Sequence, residues 1–150
     1  MKLTRYTDYA MRVLMHVGTR DDGLSSIAEI ARAYDISQNH LMKVVQDLGR
    51  EGFVETVRGR HGGIRLGRKP EEINLGVLVR HTEAGFDLVD CAHCVIAPAC
   101  GLTGILAEAT RAFLGVLDKY TLVDLLDRRS RLRELFAIPA PTGTATETAA

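Results

Sequence analysis

The chain has 150 residues, 46% apolar and 25% charged, the balance of an ordinary globular domain able to bury a core. Four Phe, four Tyr and no Trp, with Gly and Pro far from dominant, exclude collagen-like and low-complexity chains. No apolar run approaches the roughly 18 residues that span a bilayer, and Met1–Asp8 lacks the apolar stretch of a signal peptide. The expectation is a soluble, cytoplasmic protein with no membrane partner. Its 19 basic and 19 acidic side chains cancel overall but not locally. Residues 1–69 hold twelve Lys/Arg against eight Asp/Glu, whereas 70–150 hold seven against eleven. A basic front and an acidic back suggest two jobs on one chain.

In chain order, residues 3–18 place Leu3, Tyr6, Ala10, Val13, Leu14 and Val17 at helical spacing, which predicts an amphipathic helix. Asp21-Asp22-Gly23 reads as a turn. Ser26 with Glu29 has the form of a capping box, and Ile27, Ile30, Ala31 and Tyr34 give the next helix its apolar face. Ser37 is the expected N-cap of a third helix over 38–50, with Leu41, Val44, Val45 and Leu48 inward. Alternation over 53–57 and again over 64–66 predicts two short strands around a glycine-rich tip. Pro70 opens a connector, followed by a short helix through Leu75, Leu78 and Val79. A cysteine loop occupies 88–102. A long amphipathic helix is expected over 104–120, and Thr121 with Asp124 opens a final helix to about Glu134. The tail, 137–150, has nothing to bury and reads as disordered.

The fold class that follows is mainly α with a small β-hairpin: a winged helix-turn-helix plus a long C-terminal dimerisation helix. Residues 1–69 form the winged helix-turn-helix DNA-binding region. Residues 70–136 carry the cysteine loop and dimerisation helices. A helix fits the major groove of double-stranded DNA, where each base pair presents its own donors and acceptors. Gln38, Asn39, His40 and Lys43 stand in the first turns of the recognition helix. In the wing, Arg58, Arg60, His61, Gly62 and Arg65 are the candidate backbone contacts, because the glycines permit close approach and the arginines supply charge. One such module grips few phosphates, so a homodimer on two half-sites of promoter DNA is expected. The 104–120 helix is its natural seam.

Cys91, Cys94 and Cys100 lie within ten residues, and no other cysteine is present. A clustered odd number in a cytosolic chain points to a metal or redox site rather than a disulfide framework. Three thiolates suit zinc or an iron–sulfur cluster, each needing a fourth ligand, and His93 could complete a zinc set. A thioredoxin-like pair would need a helix directly after it, which Val95–Ala99 does not offer.

Thr4–Ala10, Arg58–Gly67, Cys94–Cys100 and Leu117–Leu125 together resemble the Rrf-type family of dimeric winged-helix iron–sulfur transcriptional regulators. The resemblance runs in order over about 1–136 and is greatest to the family's nitric-oxide-sensing repressors. It implies one iron–sulfur cluster per subunit on Cys91, Cys94 and Cys100, 4Fe–4S in preference and 2Fe–2S as the other form. It further implies Asp8, reaching across the dimer, as the fourth ligand. The cluster-biogenesis branch uses a histidine where this chain has Thr103. A redox-sensing branch pairs glutamate and histidine where this chain has Asp8 and Arg12. One departure is the two-residue spacing between Cys91 and Cys94, shorter than the family's usual one.

The function expected from this resemblance is repression of nitric-oxide detoxification genes, with nitric oxide as signal. The alternative is the same architecture sensing iron, redox state or cluster supply. A thiol–disulfide enzyme on Cys91 and Cys94 is the remote alternative. No catalytic carboxylate pair or phosphate loop accompanies it, so the chain reads as a non-enzyme.

Overall fold

In the computed structural model, residues 1–20 and 23–137 are described. The helices are α1 (Arg5–Thr19), α2 (Ile27–Tyr34), α3 (Gln38–Arg50), α4 (Leu75–Thr82), α5 (Leu102–Leu117), α6 (Leu122–Leu125) and α7 (Arg129–Ala137). Strands β1 (Val54–Val57) and β2 (Gly63–Leu66) form the hairpin. The architecture is mainly α with one small sheet, as expected. The predicted tail beyond Ala137 and the turn residues Asp21 and Asp22 lie outside the described residues.

α1 is the central beam. The Thr4 hydroxyl accepts from the Thr7 N–H to open it, and Ala10, Val13, Leu14 and Val17 are buried along one stripe. A fully buried Leu or Val contributes about 1.5–3 kcal/mol relative to exposure, so this stripe alone outweighs the surface contacts around it. α2 begins at the predicted capping box, with Ser26 and Glu29 each satisfying the other's free N–H. It ends at Asp35, whose left-handed φ of 52° turns the chain sharply into α3. Ser37 occupies the N-cap position, but its hydroxyl makes no capping bond. Only its carbonyl is used, accepting from the Leu41 N–H at 3.1 Å.

The strands pair antiparallel, with Glu55 opposite Arg65 and Thr56 opposite Ile64. Ser25 bonds back and forth with Ile64, adding a third edge to the wing. Arg68 stacks over the Phe53 ring at 4.8 Å and donates to the Glu51 carbonyl, pinning the returning strand to the end of α3.

One hydrophobic cluster runs from α1, α2, α3 and the hairpin into Ile73, Leu78, Leu122 and Leu126. The long helix spans Leu102–Leu117, two residues earlier at its start than the predicted 104–120 and three earlier at its end.

The final helix predicted from Thr121 to about Glu134 is two helices, broken at Leu126–Arg128. Its start is as expected, since the Asp124 carboxylate accepts the Thr121 N–H at 2.7 Å. The break has two causes. Leu122 and Leu126 are drawn into the core beneath α1. Beyond the break, Arg129 and Arg133 turn back to the last carbonyls of α1, with Arg129 donating to Thr19 and Arg20. Those carbonyls have no partner within α1, so the two arginines act as a cap delivered from more than a hundred residues away.

Candidate functional site

The residues expected to contact DNA lie on two exposed features of the structure. Gln38, Asn39, His40 and Lys43 are all exposed on the first turns of α3, while Leu41, Val44, Val45 and Leu48 of the same helix are buried. None of those four polar side chains is held by another group among the described residues, so their donors and acceptors face solvent.

Arg58, Arg60 and His61 are exposed at the hairpin tip. The tip depends on glycine: Gly59 has a φ of 112°, and a Cβ on Gly62 would lie 2.1 Å from the Val57 carbonyl oxygen. Arg65 differs from its neighbours. It lies on β2, exposed, with Nε 2.7 Å from the Glu55 carboxylate across the ladder. Its charge is therefore shared with an acid before any phosphate approaches.

The cysteines sit in the segment between α4 and α5. Cys91 and Cys100 are half-buried, Cys94 is exposed, and none is in a disulfide. The backbone there is a run of i→i+3 turns: Cys94 N–H to Cys91 carbonyl, Ala97 N–H to Cys94 carbonyl, and Cys100 N–H to Ala97 carbonyl. The Cys91 sulfur also meets the Thr103 hydroxyl of α5 at 3.4 Å. Thr103 thereby closes the loop from its first cysteine onto the helix that follows it.

Asp8 lies on α1, paired with Arg12 one turn later at 3.0 and 2.9 Å, both side chains nearly half exposed. An exposed helical pair of this kind is worth about 0.3–0.5 kcal/mol, a small cost to exchange. Among the described residues, no group of three His, Cys, Asp or Glu stands ready to hold a metal ion. The donor set nevertheless fits an iron–sulfur cluster chemically, since three unpaired thiols supply the soft ligands iron–sulfur centres use.

Two polar clusters were not anticipated. The Glu83 carboxylate accepts from the Thr4 N–H at 2.8 Å and from the Thr4 and Thr7 hydroxyls, while the Thr7 and Thr82 hydroxyl oxygens lie 2.8 Å apart. Partial burial alone would raise the Glu83 carboxyl, but these hydrogen bonds hold it below its ordinary value. The second cluster joins Asp47 to Tyr6 and His81. Both link residues 34 or more positions apart, and only the Thr4–Thr7 spacing, typical of a helix start, hinted at either.

No helix among the described residues is long and apolar enough to cross a membrane. Against known proteins, the profile of the Rrf2 family, described as iron-dependent transcriptional regulators, matches residues 3–128. The HTH-type transcriptional regulator NsrR of Bacillus licheniformis is 50% identical over 143 residues, covering 91% of this chain and 100% of the relative. NsrR of Bacillus subtilis is 53% identical over 141 residues, covering 90% and 97%. Among solved structures, IscR from T. potens superimposes with a TM-score of 0.72 at 24% identity, over 89% of this chain and 91% of that one, a likeness of fold. By the match over residues 3–128 and the identity to these regulators, the chain belongs to the Rrf2 family and is a transcription regulator, not an enzyme.

Proposed function

We propose that this regulator is a dimeric repressor of nitric-oxide detoxification genes that senses nitric oxide through an iron–sulfur cluster. Cys91, Cys94 and Cys100 would hold it, with Asp8 of the other subunit as fourth ligand. The observation that carries this reading is the run of three unpaired cysteines on consecutive i→i+3 turns, joined through α4 to a winged helix-turn-helix. The extent of similarity to NsrR proteins supports the same reading. So does the face of α5, where Leu102, Ile105 and Val116 are exposed and suit a second copy of the chain.

When bound, the cluster would supply an iron open to attack by nitric oxide. The rest is the work of this chain's residues. Three soft thiolates with one hard carboxylate make an uneven ligand set, so the carboxylate is the weakest tether. Asp8 exchanges its contact with Arg12 for that role at small cost. Because it stands on the helix that also packs against α3 and α4, losing the tether frees the beam on which the reading helix rests. Moving a two-state population from mostly bound to mostly released takes roughly 5 kcal/mol, so several contacts must change with it.

A second reading, a sensor of iron or cluster supply, is favoured by the family's description as iron-dependent. One experiment separates them. Protein purified without oxygen is assayed for absorption, iron and sulfide, then exposed on DNA to nitric oxide or to an iron chelator. About four irons per chain with a broad band, and release by nitric oxide at once, is the expected result. About two irons with structured bands would replace the cluster type by the smaller form. Release by chelator alone would favour the iron sensor, and a colourless zinc protein would end the nitric-oxide reading.

A further inference from the structure

Asp47 lies in the last turn of α3, and its Oδ2 accepts from the Tyr6 hydroxyl at 2.6 Å and meets His81 Nε2 at 2.8 Å. Tyr6 is in the first turn of α1 and His81 in the last turn of α4. Among the described residues, Asp47 is the one side chain of α3 hydrogen-bonded outside its own helix. Burial alone would raise its carboxyl, yet the Tyr6 and His81 bonds hold it below its ordinary value. It is thus an ionised acceptor at neutral pH, and bonds to a charged acceptor are the stronger kind. Phe53, at the entry to the wing, packs beside the His81 ring with centroids 6.2 Å apart.

The same two helices meet again at Glu83, which takes hydrogens from Thr4 and Thr7 and is the first residue of the segment leading to the cysteines. α1 and α4 are therefore clamped at the root of the cysteine loop, and the same pair of helices grips the recognition helix at one carboxylate. A helix moves as a rigid rod, so a displacement at Asp47 is carried along about 13 Å of α3 to Gln38.

We infer that Asp47 is a positioning residue: through it the α1–α4 clamp sets the pose of the recognition helix, and movement at the root of the cysteine loop reaches the base-reading turn. This rests on the assignment of α3 as the DNA-reading helix. The test uses the full chain, purified without oxygen, with two probes. One is a duplex the unaltered protein selects from a random-sequence library, and the other is a scrambled duplex of the same length.

Asp47→Asn is expected to lower the preference for the selected duplex by about tenfold, with affinity for the scrambled one unchanged. Adding Tyr6→Phe to Asp47→Asn should cost no more than about twofold further, because the two share one interaction. Glu83→Gln should lower the preference about threefold in the unaltered chain and not at all in Asp47→Asn, the signature of one route. Equal losses on both duplexes, or effects that multiply in full, would overturn the inference. If Asp47→Asn does not fold, Tyr6→Phe and His81→Gln, each leaving the carboxylate one partner, carry the same test. Failure of the unaltered chain to select any sequence would overturn the reading-helix assignment itself, and this inference with it.

Discussion

α3 and α5 are both amphipathic by sequence, yet the chain treats them differently. In α3 all four inward apolar residues, Leu41, Val44, Val45 and Leu48, are buried. In α5 only Leu114 is buried, and Ile105 is 65% exposed. Apolar spacing fixes which face of a helix wants cover; it does not fix whether the same chain provides it. α3 is a finished part of a monomer. α5 presents an apolar face larger than isolated exposed residues would need, the mark of an interaction surface.

The sharpest test of this contrast is a pair of substitutions. Leu41→Ala should destabilise the fold by about 2–5 kcal/mol, seen as a large drop in unfolding temperature at every protein concentration. Ile105→Glu should leave unfolding of the lone chain nearly unchanged but abolish the concentration dependence that a dimer confers, with sedimentation showing monomer. A loss in Ile105→Glu as large as in Leu41→Ala, and independent of concentration, would make α5 a core helix and erase the difference.

Smaller effects sharpen the same comparison at the level of single contacts. Thr103→Val removes the hydroxyl that touches Cys91 without changing shape. It should shorten the lifetime of the proposed cluster against a chelator by about tenfold, the usual scale for a residue supporting a ligand, whereas Thr103→Ser should keep it. Arg60→Ala should flatten the salt dependence of DNA binding by about one unit. Arg65→Ala should flatten it less, because Glu55 already neutralises that guanidinium. Equal slopes for the two would mean that the cross-strand pair opens on DNA.

The smallest expected effect is acid sensitivity. Glu83 has its carboxyl lowered in the folded state, so its contribution is complete above the ordinary carboxylate range and is lost as pH falls through the lowered value. Glu83→Gln should flatten the acid limb of a stability profile by lowering the neutral plateau slightly, with the two proteins converging at acid pH, where Glu83 is already protonated.

Much of the stretch from α1 through the wing was legible in the sequence because its rules are local. The Ser26–Glu29 box, the Leu41–Leu48 stripe and the glycine tip each declare themselves within one or two turns of chain. Ser37 shows the limit even there, since the residue type was right and the hydroxyl went unused. The break at Leu126 could not be read, because it depends on where α1 ends and on arginines that reach its carbonyls. Nor could the Asp47 and Glu83 clusters, whose partners stand tens of residues away. At the cysteines, spacing indicated the chemistry, but Asp8 is engaged by Arg12 in the single chain. The proposed set of Asp8 with the three cysteines is therefore not one that the fold of a single subunit brings together.

The closure of α1 by Leu122, Leu126, Arg129 and Arg133 bears on how this molecule can be cut. A fragment ending after the wing would keep every candidate DNA contact and still expose the flank of α1 that these residues cover, with two carbonyl ends uncapped. The smallest piece able to stand alone is therefore longer than the helix-turn-helix and its wing. Excising the segment from Phe86 to Val116 and rejoining the ends with a short linker would keep the C-terminal helices on α1 but remove the exposed apolar face of α5, giving a piece suited to study as a monomer.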